Sequence, residues 1–94
     1  EEPRGVSRKT VAFVLAIGNR NNPLGDRVNI AATAIGVYFA KGSLERKADK
    51  SYIMGCIASL RTEIESSKIG RAAKNAYLGR IPLVSDPFSL TRPL

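Results

Sequence analysis

The stretch DRVNIAATAIGVYFAK, residues 26–41, decides the fold. Between Val28 and Ala40 only three side chains carry a polar atom, and they are scattered: Asn29, Thr33 and Tyr38. A helix that is apolar on nearly every side has no face to give to solvent, so it needs neighbours on most sides. The segment predicts a buried central helix that is capped by Asp26 and stops at Gly42.

Small residues recur at every fourth position of this helix, at Ala32, Gly36 and Ala40. Residues four apart share one face of a helix. Small side chains on a shared face let a second backbone approach closely. We therefore expect a close helix contact along this face.

The segment before the central helix predicts a helix from Arg8 to Ile17, with Ser7 as its N-cap. Its core, VAFVLAI, is also consistent with a buried strand, because it is a continuous apolar run with β-branched members. We favour the helix, since the chain offers no second convincing strand to pair with a first one.

A third helix is predicted from Leu44 to about Ser66, with its start at Ser43 or as late as Asp49. Its apolar residues recur at steps of three or four: Ile53, Cys56, Ile57, Leu60 and Ile64. A second apolar stripe follows but lies about half a turn away from the first: Ile69, Ala72, Ala73, Ala76 and Tyr77. One straight helix cannot bury both stripes, so we expect a kink or a new helix from near Ser67 to Gly79.

The predicted fold is all-α: a small three- to four-helix bundle over residues 1–80, with an extended C-terminal arm over residues 81–94. Pro82, Pro87 and Pro93 exclude a helix or a central strand in the arm. The arm is nevertheless rich in apolar residues, which we predict to contact its own domain or a neighbouring subunit: Ile81, Leu83, Val84, Phe88 and Leu90.

The charge balance limits the class of partner. Fifteen Lys and Arg against eight Asp and Glu give a net charge of +7 and a pI near 10.1. Such an excess on a short chain favours polyanions, namely nucleic acid, an anionic membrane surface or an acidic protein. Basic surfaces that serve only solubility also exist.

The predicted nucleic-acid-binding residues are four cations near the last helix and one in an earlier loop: Lys68, Arg71, Lys74, Arg80 and Arg20. The first three recur every third residue, and no acidic residue lies between Ser66 and Ser85. A row of cations on one helix face suits the phosphates of a nucleic-acid backbone. The alternative is a solvated helix face and, for the asparagine-rich loop around Arg20, local turn hydrogen bonds.

Most catalytic chemistry is excluded by composition. The chain has no histidine and a single cysteine, so imidazole-based triads, the common zinc sites and internal disulfides are ruled out. Cys56 falls on an apolar stripe, which indicates a small core residue. No phosphate-binding or calcium-binding motif is present. We predict no enzymatic activity, no cofactor and no bound metal.

The sequence as a whole predicts a small basic nucleic-acid-binding protein that is a homo-oligomer or a subunit of a larger assembly. The alternative is a structural or adaptor subunit that docks through its apolar arm and the small-residue helix face, with its charge facing an acidic protein. The longest apolar run falls short of the ~20 residues that span a bilayer. The lone cysteine favours a reducing intracellular compartment.

Overall fold

Four helices form the bundle in a computed structural model that describes residues 5–82. They are α1 (Arg8–Gly18), α2 (Leu24–Tyr38), α3 (Lys47–Glu65) and α4 (Arg71–Arg80). No strand occurs in this range, so the helical interpretation of VAFVLAI is confirmed. The all-α bundle predicted from the sequence is therefore the observed fold. Of the predicted arm, Ile81 is fully buried in the core of the bundle, and the residues after Pro82 lie outside the described residues.

The central helix is α2, as predicted, and it packs against each of the other three helices. Its buried face holds Val28, Ala31, Ala34 and Tyr38. The opposite face is open to solvent, because the described bundle measures 38 × 37 × 16 Å and is little thicker than one helix. Ile30, Ala32 and Ile35 are partly buried against the core beside this face, so the helix has neighbours on its inner side and along its edges but not on its outer side.

The predicted small-residue contact is wrong. A side chain built on Gly36 would meet no atom within 4 Å, and Ala40 lies beyond the end of α2. The helix ends at Tyr38 because the chain turns at once, through a hydrogen bond from the Ser43 N–H to the Ala40 carbonyl and a positive φ of 84° at Gly42. At its start Pro23 is the N-cap, and Asp26 lies inside the first turn.

Two of the remaining helices follow their predicted patterns closely. Ser7 caps α1, since its hydroxyl accepts a hydrogen bond from the Thr10 N–H. The stripe of α3 is buried at four positions and half-buried at a fifth: Ile53, Ile57, Leu60 and Ile64, then Cys56.

The chain breaks after Ser66, as predicted, and α4 starts at Arg71. Its predicted apolar stripe is only partly right, because Ala72, Ala73 and Ala76 are exposed. The helix is rotated so that Tyr77 and Leu78 pack on the core instead. The Arg61 guanidinium donates hydrogen bonds of 2.9 Å to the carbonyl oxygens of Leu78 and Ile81, which holds the end of α4 against α3.

One end of the bundle is held by a buried carboxylate in the first turn of α3. Asp49 is 1% exposed and accepts a 2.9 Å hydrogen bond from the Ser7 N–H and a 3.1 Å hydrogen bond from Arg46 Nε. Beside it, the hydroxyls of Thr10 and Tyr38 are hydrogen-bonded at 2.7 Å. These contacts tie the start of α1 to α3 and to the end of α2. We call this the Asp49 end.

Candidate nucleic-acid interface

The opposite end, about 21 Å away along α3, is built around Glu63, and we call it the Glu63 end. The side chain of Arg27 on α2 is buried there, with the residue 4% exposed. Its guanidinium binds both oxygens of Glu63, at 2.7 and 2.9 Å, and its Nε donates to the Ile17 carbonyl at 2.7 Å. One arginine therefore joins three helices, and no buried side-chain nitrogen or oxygen within residues 5–82 lacks a partner.

The cations predicted to bind nucleic acid lie mostly around this end. Lys68 is in the connection between α3 and α4, and Arg71 is the first residue of α4. Both are exposed, and neither makes a hydrogen bond or ion pair within the described part of the chain. Their head groups are available to an external anion.

Lys74 differs from these two, because it is half-buried and faces α3. Its ammonium donates a 3.0 Å hydrogen bond to the carbonyl of Glu65, at the last turn of that helix. A cation at a helix C-terminus is stabilised by the helix dipole. Lys74 thus has a structural partner, and the predicted row of three is divided between solvent and the bundle.

Arg80 lies at the other end of α4, about 13 Å along the helix from Arg71. It is exposed, and its guanidinium donates to the side-chain oxygen of Asn29 on α2. The contact directs Arg80 towards the open face of α2 and away from Lys68.

Arg20 belongs to the loop between α1 and α2, and its side chain is 81% exposed. Its Nε lies 3.8 Å from a Glu63 oxygen that Arg27 already binds, so one carboxylate faces two guanidinium groups. The same loop makes a local turn contact, from the Asn21 N–H to the Asn19 side-chain oxygen at 3.0 Å.

The first backbone N–H groups of α4 have no side-chain cap. The N-cap of α4 is Gly70, which has no side chain to accept the first N–H groups, and its first turn contains no acidic residue. Uncapped N–H groups at a helix start attract anions. Lys68 lies two positions before the N-cap and Arg71 is the first residue of the helix, so we call Lys68, Gly70 and Arg71 the α4 entry.

A small cleft of about 160 Å³ lies between Arg20, Arg27 and Glu63, with Cys56 in its wall. Burial raises the pKa of the Cys56 thiol, although the Arg27 charge opposes the effect. A thiol with a raised pKa is mostly protonated at neutral pH and is a poor nucleophile. Within residues 5–82 no group of three or more His, Cys, Asp or Glu side chains is placed so that it could bind a metal ion.

The carboxylates of the two ends, the buried Asp49 and the half-buried Glu63, have lowered pKa values. The Arg27 hydrogen bonds outweigh burial at Glu63. At Asp49, burial alone would raise the pKa, but the hydrogen bonds from Ser7, Thr10 and Arg46 outweigh it. Both side chains are therefore ionised at neutral pH and do not suit the role of a proton donor there.

These shifts predict acid-labile stability. A carboxylate with a lowered pKa stabilises the fold fully above its unfolded-state pKa, ordinarily 3.8 for Asp and 4.5 for Glu, and loses that contribution as the pH falls through the folded-state pKa. We expect little change in unfolding free energy from this source between pH 7 and pH 5, then a decline below about pH 4.5. Urea unfolding at pH 7, 5 and 3 measures it. In the variant Asp49→Asn the decline should be shallower, and an equally steep decline would contradict the role given to Asp49.

No family model matches the sequence, and no curated protein and no solved structure matches it. No helix within residues 5–82 is long and apolar enough to cross a bilayer.

Proposed function

We propose that this protein binds nucleic acid through phosphate contacts at the α4 entry, without enzymatic activity. The observation that carries the proposal is the α4 entry itself: two exposed cations, neither of which makes a hydrogen bond or ion pair among residues 5–82, lie at the start of a helix whose first N–H groups have no side-chain cap. Backbone amides, lysine and arginine are the groups that most often hold phosphate oxygens in protein–nucleic acid complexes.

Charge pairing elsewhere in the bundle supports this choice. Glu45, Asp49 and Glu63 each bind a cation of the same chain. Between Ser66 and Ser85 the sequence contains no acidic residue. The α4 entry itself therefore contains no carboxylate, and the exposed Glu65, three positions before Lys68, is the nearest acidic residue in the sequence.

Phosphate contacts fit better than base stacking. Within the described chain Tyr38 and Phe39 are buried, and Phe13 and Tyr77 are half-buried. Tyr52 is 40% exposed but lies near α1, in the second turn of α3 and far from the α4 entry. A protein that binds single strands by stacking presents exposed aromatic rings beside its basic groove. The arrangement seen here instead favours contacts to the backbone, with Arg20 and Arg80 as peripheral contacts.

The test is a fluorescence-anisotropy titration of a labelled duplex and a labelled single strand at several salt concentrations. The double variant Lys68→Ala, Arg71→Ala should weaken binding and reduce the slope of log K against log salt by up to about 1.8 for a duplex, since each lost phosphate contact contributes about 0.9. Comparing the two probes shows which form is preferred.

The matched control is Arg8→Ala, Lys41→Ala, which removes the same charge from exposed positions at the Asp49 end. Its salt slope should stay close to that of the unmodified protein. Equal losses in both variants would mean that only net charge matters and would reject the α4 entry. If the unmodified protein does not bind either probe at low salt, the adaptor function becomes the better hypothesis.

A further inference from the structure

The most exposed large apolar side chain in the described part of the chain belongs to Leu44, in the connection between α2 and α3. It is 98% exposed, so it contributes almost nothing to the bundle by burial. Gly42, with its positive φ, turns the chain just before it. The Ser43 hydroxyl donates a 3.3 Å hydrogen bond to the carbonyl of Val37, which is itself 38% exposed. The Asp49 end therefore presents an apolar tip to solvent.

Cations lie close to this tip. Five exposed ones belong to the Asp49 end: Arg8, Lys9, Lys41, Arg46 and Lys47. The same end has two carboxylates within residues 5–82, Glu45 and Asp49, and each is already bound by one of these cations. The head groups of Arg8 and Lys41 make no hydrogen bond or ion pair among those residues. Around the apolar tip, exposed cations therefore outnumber carboxylates.

We propose that the Asp49 end binds the surface of an anionic lipid bilayer, with the Leu44 side chain inserted below the headgroups and the cations in contact with the headgroup anions. This is the end of the bundle opposite the α4 entry, and the proposal is independent of nucleic-acid binding. When a protein binds at a membrane interface, the burial of apolar area and the attraction to anionic lipids both contribute to affinity. Lysine and arginine gain further from the negative surface potential of an anionic leaflet.

The combination of an apolar tip with cations distinguishes this partner from the alternatives. Contacts to a nucleic-acid backbone are polar and charged, and they give no role to an aliphatic side chain at the tip of the contact. A symmetric pair of copies would place the same patch against itself, so that cations would meet cations. An anionic bilayer offers negative headgroups and an apolar layer at one surface.

Flotation of the full-length protein with vesicles tests the role of Leu44. Vesicles of phosphatidylcholine with phosphatidylserine should bind the protein, and vesicles of phosphatidylcholine alone should bind it much less. Leu44→Ser should weaken binding to the anionic vesicles roughly tenfold, because the apolar contribution of the leucine is lost. The matched control is Leu15→Ser, at a leucine of α1 that is 67% exposed but lies outside the connection between α2 and α3. It should bind as the unmodified protein does.

The double variant Arg8→Ala, Lys41→Ala tests the charges of the same end. Since each cation near an anionic leaflet strengthens binding about fivefold, the loss at low salt should be roughly 25-fold. The same change at the opposite end, Lys68→Ala with Arg71→Ala, should have a much smaller effect on vesicle binding. The loss caused by Leu44→Ser should persist at high salt, whereas the loss caused by removing the two charges should shrink.

The chain contains no tryptophan, so Leu44→Trp provides a single fluorescent reporter of insertion. Its emission should shift to shorter wavelengths when anionic vesicles are added and should be quenched by lipids brominated on their acyl chains, whereas Leu15→Trp should show neither effect. Absence of binding to anionic vesicles, equal losses in both leucine variants or in both charge variants, or an unshifted Leu44→Trp spectrum would each overturn the proposal. If Leu44→Ser weakens binding to a labelled duplex and not to vesicles, the Asp49 end belongs to a nucleic-acid contact and the membrane role is wrong.

Discussion

Replacing Arg27 with alanine should lower the free energy of unfolding by about 3 kcal/mol, the largest effect expected of any single change at a polar residue in this bundle. The change leaves Glu63 without its bidentate partner and the Ile17 carbonyl without its donor. Losing one partner of a buried ion pair costs about 3–5 kcal/mol. We expect the low end of that range, because the Glu63 side chain is 32% exposed and can be partly rehydrated.

The matched control for this change is Arg20→Ala. Arg20 approaches the same carboxylate but is largely exposed and lies 3.8 Å away. Exposed ion pairs contribute about 0–1 kcal/mol, so the control should be close to neutral. Urea or guanidinium unfolding of both variants measures the difference. Equal losses would mean that Glu63 interacts with general positive charge and not with the specific geometry of Arg27.

The second large effect is expected at the Asp49 end. Asp49→Ala removes the acceptor for the Ser7 N–H and the partner of Arg46, and hydrogen bonds to a charged group contribute about 1.5–3 kcal/mol. We expect a loss of about 2–3 kcal/mol, which lowers Tm by roughly 10–20 °C for a domain of this size. Asp49→Asn should lose less, because its amide oxygen can still accept from Ser7.

Asp26→Ala is the control, since Asp26 has the same side chain and also lies in the first turn of a helix, but is exposed. Only its interaction with the helix dipole is lost, which is about 0.3–1 kcal/mol. Thermal unfolding followed by circular dichroism compares the two. A loss at Asp26 as large as that at Asp49 would show that charge at a helix start, not the contact with Ser7, stabilises the bundle.

The contacts of Glu63 and Asp49 also show what could not be predicted from the sequence. The cap at Ser7 and the stripe of α3 were predictable because they depend on residues within one or two turns. Glu63 meets Arg27 across 36 positions of sequence, and Asp49 meets Ser7 across 42. Periodicity carries no information on which distant charges pair. The sequence did contain one indication that Arg27 is buried: it shares a helix face with Ala31, Ala34 and Tyr38, which are all buried.

The candidate interface was predictable in part for a similar reason. Composition and spacing located the cations near α4, but the predicted apolar stripe placed the alanines of that helix against the bundle. Tyr77 lies against Gly25 and Lys74 binds the end of α3, and these contacts set the rotation of α4. Small changes in rotation decide which cations of a short helix face solvent. The α4 entry therefore includes Lys68 and Arg71 but not Lys74.

Helix α1 is attached to the rest of the bundle at both of its ends. The Ser7 N–H is held by Asp49 at the start of α1, and the Ile17 carbonyl is held by Arg27 near its end. Each of these hydrogen bonds involves a charged side chain of a neighbouring helix. Opening α1 therefore requires both contacts to break, and we expect its amide hydrogens to exchange together with those of α2 and α3 and not independently of them.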